Sequence, residues 1–236
     1  LFDTLSRALG AMGRGGAEDP TYAAAVSAPM PNPMPSDAAD ALRLGPEQAS
    51  ERLVLLHGWG ADADDLLDLG ALLVGPDVSV VALRAPEPHP YGSGRQWYGL
   101  QPIDWDALPA ARTALRDRLE ALASSVALEQ TVLLGFSQGG AMAIDVGCSL
   151  PLAGVVACSG YPHEGWTPPA PLPPVLLSHG REDPVVPYAA SEELARQLTR
   201  AGGKVNLLPF SGGHGIDPAV LPALGSFVAD CLRGAS

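Results

Sequence analysis

Gly135-Phe136-Ser137-Gln138-Gly139 has the residue types and spacing from which covalent chemistry can be built. A serine flanked by glycines two before and two after suits a sharp turn from a strand into a helix. Thr131-Val132-Leu133-Leu134 reads as the buried strand before that turn. Ala141-Met142-Ala143-Ile144 reads as the helix after it. Such a turn forces strained dihedrals on its central residue, and the glycines let strand and helix approach without a Cβ clash. The hydroxyl is then held at the sheet edge beside a helix N-terminus, whose free N–H groups suit a developing oxyanion. A glycine-rich turn is also a plain packing solution, so the pentapeptide needs partners elsewhere in the chain.

A serine hydroxyl is a poor nucleophile until a base takes its proton. The usual base is a histidine oriented by a buried carboxylate. Downstream of Ser137 lie His163, His179 and His214. His214 sits in Ser211-Gly212-Gly213-His214-Gly215, just after the last expected strand. Asp183 follows another expected strand end and precedes Pro184-Val185-Val186-Pro187. Both stand at the sheet edge expected for Ser137, and Ser, Asp, His is the chain order of α/β-hydrolases. His163 precedes Asp183 and breaks that order. His179, at a strand end, reads as a satisfied structural histidine, and His57 as one that orients the glycine loop after it. His89, between prolines, reads as solvated, and Asp145 as a solvated or capping carboxylate on the helix after Ser137. An oxyanion hole needs two backbone N–H groups, one from the residue after the nucleophile and one from a loop after an early strand. Gln138 and Trp59, the latter in His57-Gly58-Trp59-Gly60, are the candidates. Arg95, Trp97 and Tyr98 lie in a proline-rich loop after another strand and are the candidate walls of a substrate pocket.

Apolar runs expected as strands cover Ala41 to Leu44, Arg52 to His57, Val78 to Leu83, Thr131 to Leu134, Gly154 to Ser159, Val175 to His179 and Lys204 to Pro209. Helical patterns cover Ala63 to Leu73, with Asp62 as its cap, Leu108 to Ala127, the segment after Ser137, Glu192 to Thr199, and Pro218 to Leu232. Strands alternating with helices predict a doubly wound, mostly parallel sheet with helices on both faces. Residues 1–37 differ. Leu1, Leu5, Leu9 and Met12 share one helical face, and Ser27 to Ser36 is too proline-rich to be helical. They read as an N-terminal extension, a short helix plus a connector, with a lid as the alternative. Residues 38–236 read as the catalytic domain.

With 47% hydrophobic and 17% charged residues, the chain of 236 residues can bury a sizeable core. Its net charge of −12 argues against binding a nucleic-acid backbone. Cys148, Cys158 and Cys231 are odd in number and set among apolar residues, so they read as free thiols. No pair has metal-ligand spacing. No apolar run approaches a membrane span, and no charged leader with an apolar stretch opens the chain. A cytoplasmic protein is the expectation, although a start at Leu1 rather than Met leaves room for a leader already removed.

Leu56-His57-Gly58-Trp59-Gly60-Ala61-Asp62, Gly135-Phe136-Ser137-Gln138-Gly139-Gly140, His179-Gly180-Arg181-Glu182-Asp183-Pro184-Val185-Val186-Pro187 and Gly213-His214 together resemble the phospholipase/carboxylesterase family. The resemblance runs from about residue 40 to the C-terminus. It implies an α/β-hydrolase fold and a serine hydrolase of carboxylic esters or thioesters that needs no metal or cofactor. The implied substrate is a small ester, and the implied assembly is often a homodimer. It carries the nucleophile to Ser137, the acid to Asp183, the base to His214, and the oxyanion donors to Trp59 and Gln138. The family more often has leucine at the position of Trp59, which bears on acyl-chain length, and its minimal form has no counterpart to residues 1–37. A carboxylesterase for short to medium acyl chains is the first expectation. A protein S-acyl thioesterase or lysophospholipase using the same residues is the second. A binding protein on the same fold, without catalysis, is the alternative from a different class.

Overall fold

A computed structural model describes residues 40–234. The expected helix and connector of residues 1–37 lie outside the described residues. The strands are β1 (Ala41–Leu44), β2 (Arg52–Leu56), β3 (Ser79–Leu83), β4 (Glu87–Pro88), β5 (Arg95–Gln96), β6 (Thr131–Phe136), β7 (Gly154–Cys158), β8 (Val175–Gly180) and β9 (Val205–Phe210). The helices are α1 (Leu67–Leu73, entered through a 3-10 turn), α2 (Leu108–Leu122), α3 (Gln138–Met142, continued by a π turn over Ala143–Gly147), α4 (Ala189–Arg200) and α5 (Leu221–Gly234). Asp62 accepts a hydrogen bond from the Ala63 N–H where the first of these segments begins.

Seven strands form one sheet in the order β1-β3-β2-β6-β7-β8-β9. Only β1 runs antiparallel to its neighbour. β2, β3, β7 and β8 are buried along their length, and β6 as far as Gly135, because helices cover both faces, as a parallel sheet requires. Side chains alternate between the two layers. Val54, Leu56, Val81, Leu133, Val155 and Leu177 face α2, α3 and α4, where they meet Leu115, Leu119, Met142, Leu194 and Leu198. Leu53, Leu55, Val80, Val132, Leu134 and Leu176 face α1 and α5, where they meet Leu73, Leu224 and Val228. Burying each such side chain contributes roughly 1.5–3 kcal/mol.

The chain winds from β2 outward to β3, then crosses back to lay β6 on the other side of β2. The carboxyl ends of β2 and β6 therefore flank the switch point, where open α/β sheets form their crevice.

Most boundaries fall within a few residues of expectation, and two segments depart further. α2 ends at Leu122 although its apolar pattern runs to Val126. The chain leaves the helix in turns that close on the Ala121 and Leu122 carbonyls, and there the buried Arg52 guanidinium, from β2, donates to the Leu122 carbonyl at 2.7 Å and to Ser125 Oγ at 2.7 Å. The proline-rich segment after β3 is not all loop, since β4 and β5 pair within it as a small ribbon. Among the described residues no helix is long and apolar enough to cross a membrane.

Candidate active site

Ser137 follows β6 directly and has φ 54° and ψ −117°, a left-handed backbone that a non-glycine residue adopts only under constraint. The constraint is packing. Its N–H donates to the Cys158 carbonyl of β7 at 2.8 Å, and its carbonyl accepts from Ala141 N–H at 3.0 Å as α3 begins. A Cβ on Gly135 would strike the Gly139 carbonyl, and one on Gly139 would strike the Leu56 and His57 carbonyls. The glycines are therefore required by close approach of backbone to backbone.

Two further loops reach the same edge. His214, after β9, places Nε2 2.9 Å from Ser137 Oγ, and its Nδ1 lies 2.7 Å from Asp183 Oδ2, after β8. Because the carboxylate accepts, Nδ1 carries the proton, and Nε2 is left to accept from the serine hydroxyl. Asp183 Oδ1 accepts from the Val185 and Val186 N–H groups at 2.8 and 2.9 Å, which fixes the carboxylate plane. Burial by itself would raise this carboxyl. Hydrogen bonds from His179, His214 and Val186 outweigh it and hold Asp183 well below the usual carboxylate range. The two loops are pressed together, since a Cβ on Gly180 would strike the Gly212 and Gly213 carbonyls. Ser159, a second non-glycine residue with positive φ, donates from Oγ to the Gly215 carbonyl beside His214. The Phe136 ring lies against the His214 imidazole, with centroids 5.0 Å apart.

The loop after β2 borders this group. An added Cβ on Gly58 would lie 3.5 Å from the Ser137 Cβ. His57 is buried, and its Nε2 accepts from the Ala85 N–H at 3.0 Å, so its proton sits on Nδ1 and is donated to the Gly58 carbonyl at 2.8 Å. Burial holds this imidazole below its usual range. The Trp59 indole N–H donates to Gln96 Oε1 at 2.8 Å, and its ring meets His89 edge-on at 4.3 Å. His89 is thus packed on Trp59 rather than freely solvated.

Several expectations need correction. Trp97 and Tyr98 do not wall an open pocket; they are 1% and 0% exposed and belong to the core. Polar atoms on each find partners inside, which makes full burial of these large rings tolerable. Trp97 Nε1 donates to the His57 carbonyl at 2.9 Å, and Tyr98 Oη lies 2.8 Å from Tyr161 Oη and 3.0 Å from His163 Nε2. Arg95 does not reach toward Ser137 either; its guanidinium donates to the Ala85 and Pro86 carbonyls. Asp145 is buried, not solvated, with Oδ2 2.6 Å from His163 Nδ1 and Oδ1 3.0 Å from Arg112 Nε. Since Asp145 accepts from Nδ1–H, Tyr98 O–H must donate to His163 Nε2, and Tyr161 to Tyr98. Burial holds His163 below its usual range despite its carboxylate partner, whose charge Arg112 also balances. No sequence signal linked these residues. His179, read as structural, is buried and bonded to Ser191 Oγ and the Val186 carbonyl; its Nε2 also approaches Asp183 Oδ2 at 3.2 Å.

Cys148 and Cys158 are buried and Cys231 half-buried, all unpaired. Burial pushes the first two thiols up to about 12 and the third to about 11. Among the described residues no group of three or more His, Cys, Asp or Glu is arranged to hold a metal ion. A groove of about 900 Å³ lies at the opposite, amino-terminal edge of the sheet, between Pro169–Pro174 and α5, and does not include Ser137.

The family model described as phospholipase/carboxylesterase matches residues 41–232. Esterase YpfH of Escherichia coli (strain K12) is 30% identical over 200 residues, which cover 80% of this chain and 84% of that protein. Acyl-protein thioesterase 1 of Eremothecium gossypii is 28% identical over 145 residues, 57% of this chain and 62% of that one. Among solved structures, esterase PE8 superposes with a TM-score of 0.75 at 31% identity, over 82% of this chain and 99% of that one.

Proposed function

Because the chain belongs to the phospholipase/carboxylesterase family, we propose that it hydrolyses carboxylic esters through an acyl-enzyme on Ser137, with His214 as base and Asp183 as its orienting carboxylate. The observation that carries this reading is the unbroken hydrogen-bond chain Ser137–His214–Asp183 at the switch point of the sheet. Ser137 Oγ attacks the ester carbonyl as His214 Nε2 takes its proton. The tetrahedral oxyanion is met by the backbone N–H groups of Trp59 and Gln138. Collapse expels the alcohol, which takes the proton from His214. Water then attacks the acyl-enzyme, activated by the same imidazole, and frees the acid and Ser137. Asp183 stays ionised throughout and stabilises the imidazolium. The residues of this cycle supply nucleophile, base and oxyanion donors without a cofactor. The three unpaired thiols favour a cytoplasmic setting.

Ser137→Ala should lower hydrolysis of short aryl esters by roughly three orders of magnitude or more, because nucleophile and base act as a unit. A fluorophosphonate should label wild type at Ser137 and leave the variant unlabelled. Near-wild-type turnover in the variant would rule the mechanism out, and an unlabelled wild type would favour a binding protein.

The acyl group preferred is short, roughly two to six carbons, since each further methylene gains about 0.8 kcal/mol only while apolar surface remains to bury it. The Trp59 indole, pinned by Gln96 and His89, fills volume that a leucine would release. Trp59→Leu keeps the backbone donor and should move the optimum to longer chains across a graded ester panel. An unchanged profile would remove Trp59 from this role. The likeness to an acyl-protein thioesterase favours a second reading, S-acyl hydrolysis by the same residues. Oxoester and thioester of one acyl chain, compared by kcat/KM, separate the two.

A further inference from the structure

We infer that the Gln138 side chain and the buried dipeptide Trp97-Tyr98 are positioning residues that set the spacing between the two oxyanion donors. The inference rests on the acyl-enzyme reading above. The Gln138 carboxamide bridges that dipeptide: Oε1 accepts from the Trp97 N–H at 3.0 Å, and Nε2 donates to the Tyr98 carbonyl at 2.7 Å. The backbone N–H offered to the oxyanion belongs to this same residue, so the two side-chain bonds fix the peptide from which it projects. On the other side, the Trp97 indole N–H donates to the carbonyl of His57, two residues before Trp59. One dipeptide, forty residues before Gln138, thus ties down both walls of the oxyanion hole.

The dipeptide is itself held from behind, because Tyr98 Oη joins Tyr161 and His163, and His163 joins Asp145. All of these groups are buried, so a broken bond leaves a polar atom that water does not reach. Oxyanion donors act only where they are aimed before charge develops. A small displacement of either should therefore weaken the transition state while leaving ground-state binding nearly unchanged.

The test is Gln138→Met, which keeps length and removes both bonds, beside Trp97→Phe, which removes the indole donor. Each is assayed on a p-nitrophenyl ester and against a phenylboronic acid, whose tetrahedral adduct with the serine imitates the intermediate. Both variants should lose about tenfold or more in kcat, with KM within about threefold of wild type and boronate affinity falling in step with kcat/KM. Gln138→Glu should fare worse than Gln138→Met, since an ionised carboxylate would face the Tyr98 carbonyl. A merely structural role would lower the unfolding midpoint without moving boronate affinity relative to KM. Kcat and boronate affinity within about twofold of wild type in Gln138→Met would overturn the inference, whether or not Trp97→Phe folds. If Ser137→Ala keeps turnover, the acyl-enzyme reading and this inference fall together. If Ser137→Ala is inactive and Gln138→Met is unaffected, the inference alone falls.

Discussion

Asp183 is shared between two histidines, and the two face different partners. His214 points its free nitrogen at Ser137 Oγ, whereas His179 spends both nitrogens on Ser191, Val186 and Asp183. Under the proposed mechanism His214→Ala should cost about as much activity as Ser137→Ala, since nucleophile and base act as a unit. His179→Ala should leave measurable turnover while lowering stability by roughly 1–3 kcal/mol, because Ser191 Oγ and the Val186 carbonyl lose a buried partner. Paired kcat/KM and urea-unfolding measurements decide it, and the reverse pattern would mean that the base had been misassigned. Which histidine stands over the serine was legible in sequence, because chain order and the glycine-flanked loop after β9 single out His214. That His179 also supports the carboxylate was not, since a histidine at a strand end looks the same with or without such a partner.

Elements were legible wherever one run of residues carries its own reason. The buried strands show as short apolar runs, and the turn at Ser137 shows through its glycines. Gly139→Ala would push a methyl into the Leu56 and His57 carbonyls and should destabilise the fold by about 1–3 kcal/mol while slowing fluorophosphonate labelling. Gly75→Ala, with nothing within 4 Å of the new methyl, is the matched control and should be neutral or slightly stabilising. Equal urea midpoints for the two variants would count against the packing account. What sequence did not disclose depends on distant partners. The end of α2 at Leu122 is held by Arg52, 70 positions away. Trp97 and Tyr98, aromatic residues in a proline-rich stretch, read as pocket wall and are core. Their acceptors and donors on His57, Gln138 and Tyr161 lie 40, 41 and 63 positions off and settle the matter only once the sheet has formed.

Across the whole molecule, buried histidines make stability sensitive to acid. Burial holds His57 and His163 below their usual range, so near pH 6 and below the unfolded chain binds protons that the folded chain refuses. Unfolding is then favoured as pH falls from about 6.5, the ordinary histidine value, and the effect is absent above it. Asp183, held low, adds a further loss only in the more acid range where unfolded carboxylates take up protons. The urea midpoint should be nearly level from pH 8 to 7 and fall from about 6.5 to 5. His163→Gln should fall less steeply over that interval, whatever its stability at pH 8; an identical slope would exclude His163 as a source. The antiparallel β1 has another consequence. It begins beside the last residue of β3, and the Asp40 carbonyl accepts from Arg84 N–H, so Asp40 stands at the edge that bears Ser137. α5 ends at Gly234, beside the groove at the other edge. An enzyme tethered to a bead through a linker placed after α5 would turn the Ser137 edge outward, whereas a cargo joined just ahead of Asp40 would sit beside that edge.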